Sequence, residues 1–147
     1  MTRLVAISAL MFIVLACSTD IETALRCPDC HQRPVSQIVD GDTFHSGGTK
    51  IRIYGIDTPE RGQKCYFEAA KRIRELAADA VRTENGPRLA DRFGRSLAYV
   101  FTSNGMSIDE ILIREGLAHA WKDDGHHRDY LVDVEREARE SNRGCLW

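Results

Sequence analysis

Hydrophobic and polar positions alternate in short bursts through the first half of the chain. Residues 35–39 and 43–45 read as short strands, with Asp40-Gly41 turning between them. Ser46-Gly47-Gly48-Thr49 reads as a glycine-rich hairpin turn. The run Ile51-Arg-Ile-Tyr-Gly-Ile56 is the strongest strand signal of the chain. The period then changes. Ala69, Ile73, Leu76 and Ala80 recur at helical spacing, beside Ala70, Ala77 and Val81, and predict a helix over 64–82. Glu84-Asn-Gly-Pro87 breaks it. Residues 95–101 predict another strand, and Asn104-Gly105 a turn. Ser107-Ile-Asp-Glu110 has the form of a capping box opening a short helix that Gly116 ends. A last helix is expected over 128–141, with Tyr130, Leu131, Val134 and Ala138 inward. This order predicts an α+β, mainly β domain: a five-stranded OB-type β-barrel with about three packed helices.

A chain of 147 residues is one domain by length and buries a core without needing disulfides to do so. Its formal charge is −2. Without the first sixteen residues, which hold Arg3 and no acid, 19 basic side chains face 22 acidic ones. That balance excludes binding of nucleic acid by bulk charge. Any such affinity must come from a local site or a metal ion.

The first residues read as a targeting segment. Arg3 precedes an apolar run of 13 residues, 4–16, too short to span a bilayer and of the length of a signal core. The run ends in Val14-Leu15-Ala16-Cys17 and looks like a bacterial lipoprotein signal, with Cys17 as the lipid-bearing first residue of the mature chain. Residues 1–16 are therefore expected as a signal peptide, 17–33 as a tether and 34–147 as the domain. The expected location is outside the cytoplasm, lipid-anchored at the envelope (the outer membrane in a Gram-negative cell), with plain secretion as the alternative. Four further cysteines, Cys27, Cys30, Cys65 and Cys145, suit two disulfides in an oxidising compartment. Four cysteines allow three pairings. Cys27–Cys30 with Cys65–Cys145 is favoured, the second closing a long loop from the first helix to the C-terminus. Cys27-Pro-Asp-Cys30-His31 also has the C-x-x-C-H form of haem attachment, or of half a zinc site. A local disulfide outweighs both, because a short tether encloses no haem and no second cysteine pair stands at zinc spacing.

The chemistry concentrates in residues 40–60. If the two strands there pair, Asp42, Asp57 and Glu60 come near one another with Arg52 between them. A straight strand would place Arg52 and Asp57 on opposite faces, and Gly55 offers a bulge that restores them to one side. Two carboxylates and a carbonyl suit a hard cation such as calcium: Asp42 and Asp57, with the carbonyl of Thr58, whose direction the following Pro59 restricts. Such a set leaves positions for water and a phosphate oxygen. Glu60 is placed to take a proton from water, and Arg52 to present a planar fork to phosphate. Arg95, first after the glycine of Asp91-Arg-Phe-Gly-Arg95, would be a second such fork. Taken singly, either acidic tetrapeptide is an ordinary turn. His126-His127 with Asp123, Asp124 and Asp129 reads as solvated loop and helix-cap residues rather than a second metal site, and His119 as structural.

These residues carry a family resemblance. Val39-Asp-Gly-Asp-Thr43, Arg52-Ile-Tyr-Gly-Ile-Asp-Thr-Pro-Glu60, Glu68-Ala69, Asp91-Arg-Phe-Gly-Arg-Ser-Leu-Ala-Tyr-Val100, Arg114-Glu-Gly-Leu-Ala118 and Leu146-Trp147 resemble, in order, the staphylococcal nuclease family. The resemblance implies an OB barrel with three helices and calcium-dependent cleavage of DNA and RNA, breaking the bond to the 5′ oxygen and leaving a 3′ phosphate. It implies Asp42, Asp57 and Thr58 as calcium ligands, Glu60 as general base, and Arg52 and Arg95 as phosphate-binding arginines. The chain departs from the best-known member in a shorter turn at Ser46–Thr49, a shorter segment after Glu60, and an acidic balance. The family's base-stacking tyrosines after Leu117-Ala118 are not evident; Trp121 stands nearby as a stacking or a core residue. A monomer is expected, with DNA and RNA as substrates, the membrane reached through Cys17, and no protein partner evident. The rival reading is a non-catalytic OB-fold module that binds nucleic acid or protein at the cell surface.

Overall fold

The computed structural model describes residues 22–147. The expected signal peptide, Cys17 and residues 17–21 of the expected tether lie outside them. The order is β1 (His31–Pro34), β2 (Gln37–Ile38), β3 (Thr43–Ser46), β4 (Thr49–Ile53), β5 (Ile56–Asp57), α1 (Tyr66–Ala77), β6 (Ala80–Ala90), β7 (Ser96–Phe101), α2 (Ile108–Arg114), β8 (His119–Ala120) and α3 (Arg128–Glu140). Six strands form one curled sheet in the order β1-β6-β7-β4-β3-β2, and β5 pairs with β8 in a separate ribbon. Only β4 and β7 run parallel within the large sheet; its other neighbours are antiparallel. With three helices packed on it, this is the expected OB-type α+β architecture.

The core explains the helices. Ala69, Ile73 and Ala77 turn one face of α1 inward, and Leu131, Val134 and Ala138 one face of α3. Ile73, Ala77, Leu131 and Val134 join Ile51, Ile53, Val81 and Val100 of the sheet and Ile108 and Leu112 of α2 in one core cluster, all nearly inaccessible to solvent. Burial of such side chains is the main driving force for the fold. Both favoured disulfides are present, Cys27–Cys30 and Cys65–Cys145.

Three expectations fail, for one reason. The helix predicted over 64–82 ends at Ala77, and Ala80–Ala90 is a strand. Its first half alternates, with Val81 and Thr83 inward, and it pairs with β7 on one side and β1 on the other. Two ladders of hydrogen bonds outweigh the helical propensity of Ala80 and Val81. Glu84-Asn-Gly-Pro87, expected as a break, lies inside this strand and coincides with a register shift between Asn85 and Ala90. Gly86 is required there, since a Cβ would lie 2.5 Å from the Tyr54 ring. The partner strand was missed with it. Residues 22–33, expected as part of a tether, pack on the domain: His31–Pro34 pairs with β6, and the Cys27 amide donates to the Gly105 carbonyl at 2.8 Å.

The capping box of α2 is half formed. Ser107 Oγ accepts from the Glu110 amide at 3.1 Å. The buried Glu110 carboxylate instead accepts from the amides of Ala24 and Leu25 at 3.0 and 2.8 Å, fixing the incoming chain. Asp109 is buried completely and joins three elements. Its Oδ1 accepts from the Gly55 amide at 2.9 Å and its Oδ2 from the Val100 amide at 3.0 Å. Burial pushes its acid up to about 7, against the pull of these amides. Truncating it orphans two buried donors, at about 1–3 kcal/mol each. Asp109→Ala is expected to lower the unfolding free energy by about 3 kcal/mol in urea titration. A loss below about 1 kcal/mol would show that the two amides find other partners.

Candidate active site

Strand β4 stops at Ile53 and the chain resumes as β5 two residues later. Between them the Tyr54 amide donates to the Ala98 carbonyl at 2.8 Å and the Gly55 amide to Asp109. A Cβ on residue 55 would lie 2.6 Å from both Asp109 Oδ1 and Leu131 Cδ1, so only glycine fits this crossing. The break has the effect expected of a bulge at Gly55. Arg52 and Asp57, five residues apart, meet at 2.8 Å, Nη2 to Oδ1. The buried guanidinium also donates from Nη1 to the carbonyls of Ile53 and Ile56, each at 3.0 Å.

Asp42 comes from the turn before β3, where its amide donates to Asp40 Oδ1 at 3.2 Å. Asp42 Oδ1 accepts from the Thr43 hydroxyl at 2.8 Å. Its Oδ2 accepts from the Thr58 amide at 3.2 Å and lies 3.4 Å from Arg52 Nη2. Asp42, Arg52, Asp57 and Thr58 thus form one contiguous set. Thr58 is buried beneath it, and Asp57 is half exposed above it. Glu60 follows on the exposed turn after β5, its amide held by Gln63 Oε1 at 2.7 Å. Its carboxylate accepts no hydrogen bond among the described residues.

Arg95 is set by the turn between β6 and β7. Asp91 Oδ1 accepts from the amides of Phe93 and Arg95 at 2.9 and 3.0 Å, and Oδ2 from Arg95 Nε at 2.6 Å. Against the cost of burial, these donors hold the Asp91 carboxyl below its usual range. One groove of about 560 Å³ is lined by Asp40, Asp42, Arg52, Asp57, Glu60 and Arg95, so five of the six expected residues share its wall and Thr58 lies directly behind Asp42.

The donor set suits a hard cation. Its acids are carboxylates, hard oxygen donors, although no three His, Cys, Asp or Glu side chains among the described residues are grouped closely enough to hold a metal ion by themselves. Burial, and next the charge of Asp42, raise the Asp40 carboxyl above its usual value. Asp40, a turn residue by sequence, lines the groove as well. The spacing of two acids around Gly41 was its only signal. Trp121 was weighed as core or stacking; it lies on the groove wall, its indole 5.4 Å from the Arg52 guanidinium. Arg88 and Arg92 also line the groove. Arg92 belongs to the Asp91-Arg-Phe-Gly-Arg95 motif, whereas nothing local in the sequence marks Arg88.

The other candidates fall into structural roles. Cys27 and Cys30 are bonded to each other, so neither thiol is free for haem or zinc. His126, His127 and the nearby aspartates do not gather. His127 Nε2 lies 3.3 Å from Glu84, Asp124 faces Arg88 and Trp121, and Asp129 pairs with Arg128. His119 Nδ1 pairs with buried Glu135 at 2.9 Å, which Lys122 also contacts at 2.9 Å.

Comparison with known proteins agrees with this geometry. Residues 50–147 match the family model described as "Staphylococcal nuclease homologue". The chain is 32% identical over 126 residues to an "Uncharacterized endonuclease" of Escherichia coli O157:H7, covering 82% of this chain and 79% of the relative. It is 30% identical over 128 residues to a "Micrococcal nuclease" of Shigella flexneri, covering 77% and 71%. It is 33% identical over 129 residues to the "SPbeta prophage-derived endonuclease YokF" of Bacillus subtilis, covering 77% of this chain and 43% of that protein. With its OB-type sheet and its groove of paired arginines and carboxylates, the chain belongs to the staphylococcal nuclease family and is a hydrolytic nuclease.

Proposed function

We propose that this groove cleaves internal phosphodiester bonds of DNA and RNA with Ca²⁺, leaving 3′-phosphate ends. The observation that carries the reading is the convergence of Arg52, Arg95, Asp42, Asp57 and a hydrogen-bond-free Glu60 on one groove. Asp42, Asp57 and the Thr58 carbonyl would hold the ion, which supplies Lewis-acid stabilisation of charge on a phosphate oxygen. Glu60 accepts the proton of the attacking water. Its exposed, uncompensated carboxylate suits that task, and a binding module has no need of it. Water oxygen bonds to phosphorus, the bond to the 5′ oxygen breaks, and that oxygen leaves as the 5′ hydroxyl after taking a proton from solvent. Arg52 and Arg95 meet the charge that grows on the equatorial oxygens. In the free protein Arg52 is held by Asp57 and Asp42, and Arg95 by Asp91, so both guanidiniums are fixed in place before substrate arrives, and the Arg52 Nη2 donors now on the carboxylates are the ones a phosphate would take over.

Arg52→Lys should reduce turnover about a hundredfold, since one ammonium cannot reproduce the fork. It should also destabilise the fold, because the Ile53 and Ile56 carbonyls lose donors. Glu60→Ala should lose about 10²–10⁴ in turnover with the melting temperature unchanged, as its carboxylate is exposed. Both variants are assayed beside the wild type on single- and double-stranded DNA and on RNA, with Ca²⁺ and with chelator. Calcium-dependent cutting by wild type, lost in the variants, supports the assignment. Near-wild-type turnover in Arg52→Lys, or cutting in chelator, contradicts it.

We further propose that the domain works outside the cytoplasm, anchored by a lipid on Cys17, on the strength of the apolar run and Leu15-Ala16-Cys17. Cys17→Ser should move the protein from the membrane fraction to the soluble fraction of its native host. Unchanged fractionation would remove the anchor from the account.

A further inference from the structure

The groove carries a third oriented guanidinium that this chemistry does not use. Arg88 lies near the end of β6, past the register shift, and shares the groove wall with Arg52 and Arg95. Its Nε and Nη2 donate to Asp124 Oδ2 and Oδ1 at 2.6 and 3.1 Å. Trp121 Nε1 donates to the same Oδ1 at 3.0 Å. Asp124 itself is not on the wall. One carboxylate thus fixes, from behind, two flat groups that are: a guanidinium and an indole. The grip holds the Asp124 carboxyl at about 2, chiefly through the bond from Arg88.

Stability does not explain this arrangement. Arg88 is 46% and Asp124 35% exposed, and a pair so open to water contributes little. Orientation does explain it. A guanidinium has five N–H donors. Asp124 takes two of those on Arg88, and the rest find no acceptor among the described residues. The Tyr54 ring on the same wall, 5.5 Å from the guanidinium carbon, supports it. A planar cation with free donors in a groove that takes a phosphodiester backbone matches a phosphate oxygen. The scissile phosphate is already served by Arg52 and Arg95.

We propose that Arg88 binds the phosphodiester next to the scissile one, and that Asp124 is its positioning residue. The proposal rests on the nuclease reading and extends the site to at least two consecutive phosphodiesters. It also gives an acidic protein a local source of affinity for a polyanion.

The test compares wild type, Arg88→Ala and Arg88→Lys on two substrates with Ca²⁺: a fluorescein-labelled dT octamer, and thymidine 5′-(4-nitrophenyl phosphate), which has a single phosphodiester. Arg88→Ala should raise KM for the octamer about tenfold with kcat within about twofold, and leave the small substrate unaffected. The slope of log(kcat/KM) against log salt on the octamer should become shallower by about 0.7, the loss of one phosphate contact to a single strand. Arg88→Lys should recover the slope and part of the KM. Equal losses on both substrates would reduce Arg88 to a structural role and overturn the proposal. An unchanged octamer KM, or a raised KM with an unchanged salt slope, would also overturn it. If wild type cuts neither substrate, the hydrolase reading fails by itself. The same salt series on binding of the uncut octamer, wild type against Arg88→Ala, then decides the Arg88 contact.

Discussion

The site depends on one buried cation. Arg52 is almost inaccessible to solvent, and a charge in that position persists only if its donors are met. They are met by two carbonyls and two carboxylates that the fold brings together. The carbonyls belong to Ile53 and Ile56, on either side of the interruption between β4 and β5. The strand must break for both to face the guanidinium. That break is held by Asp109 through the Gly55 amide, and closed from above by the Trp121 amide on the Gly55 carbonyl at 2.9 Å. A local defect in a strand is therefore what sets the position of Arg52 against Asp57, and Asp57 against Asp42.

Charge is handled the same way throughout the groove. Arg52 faces Asp57 and Asp42, Arg95 faces Asp91, and Arg88 faces Asp124. Three of the four guanidiniums on the wall are oriented by a carboxylate, Arg92 lying over the Phe93 ring instead, and the wall as a whole is close to neutral. A polyanion gains little from long-range attraction to such a surface. Its recognition falls to short-range, bidentate contacts and to a cation on the remaining acids. The net charge of −2 is consistent with that design.

The central motif was legible because its function requires residues close in sequence. Asp42, Arg52, Asp57, Thr58 and Glu60 lie within one hairpin and its exit, so strand periodicity and turn chemistry sufficed to bring them together. Even the bulge at Gly55 could be anticipated from the five-residue spacing. Strand β6 was not legible. Its Ala80 and Val81 continue the helical face of α1, and its Asn85-Gly86-Pro87 has turn chemistry; only pairing with distant β1 and β7 makes it a strand. The loss of β6 hid β1, its partner, whose first three residues fall in the expected tether. Arg88 was hidden for the same reason, since its place on the groove wall depends on that strand and on Asp124 behind the wall.

The most direct measurement is the chemistry of the product ends. An internally labelled oligonucleotide is cut by the purified protein with Ca²⁺, and the fragments are resolved before and after phosphatase treatment. The account predicts 3′-phosphate and 5′-hydroxyl termini, because the bond to the 5′ oxygen breaks opposite the attacking water. Fragments with 3′-hydroxyl and 5′-phosphate termini would contradict it, since attack would then come from the opposite side of the phosphate to the one the account assigns.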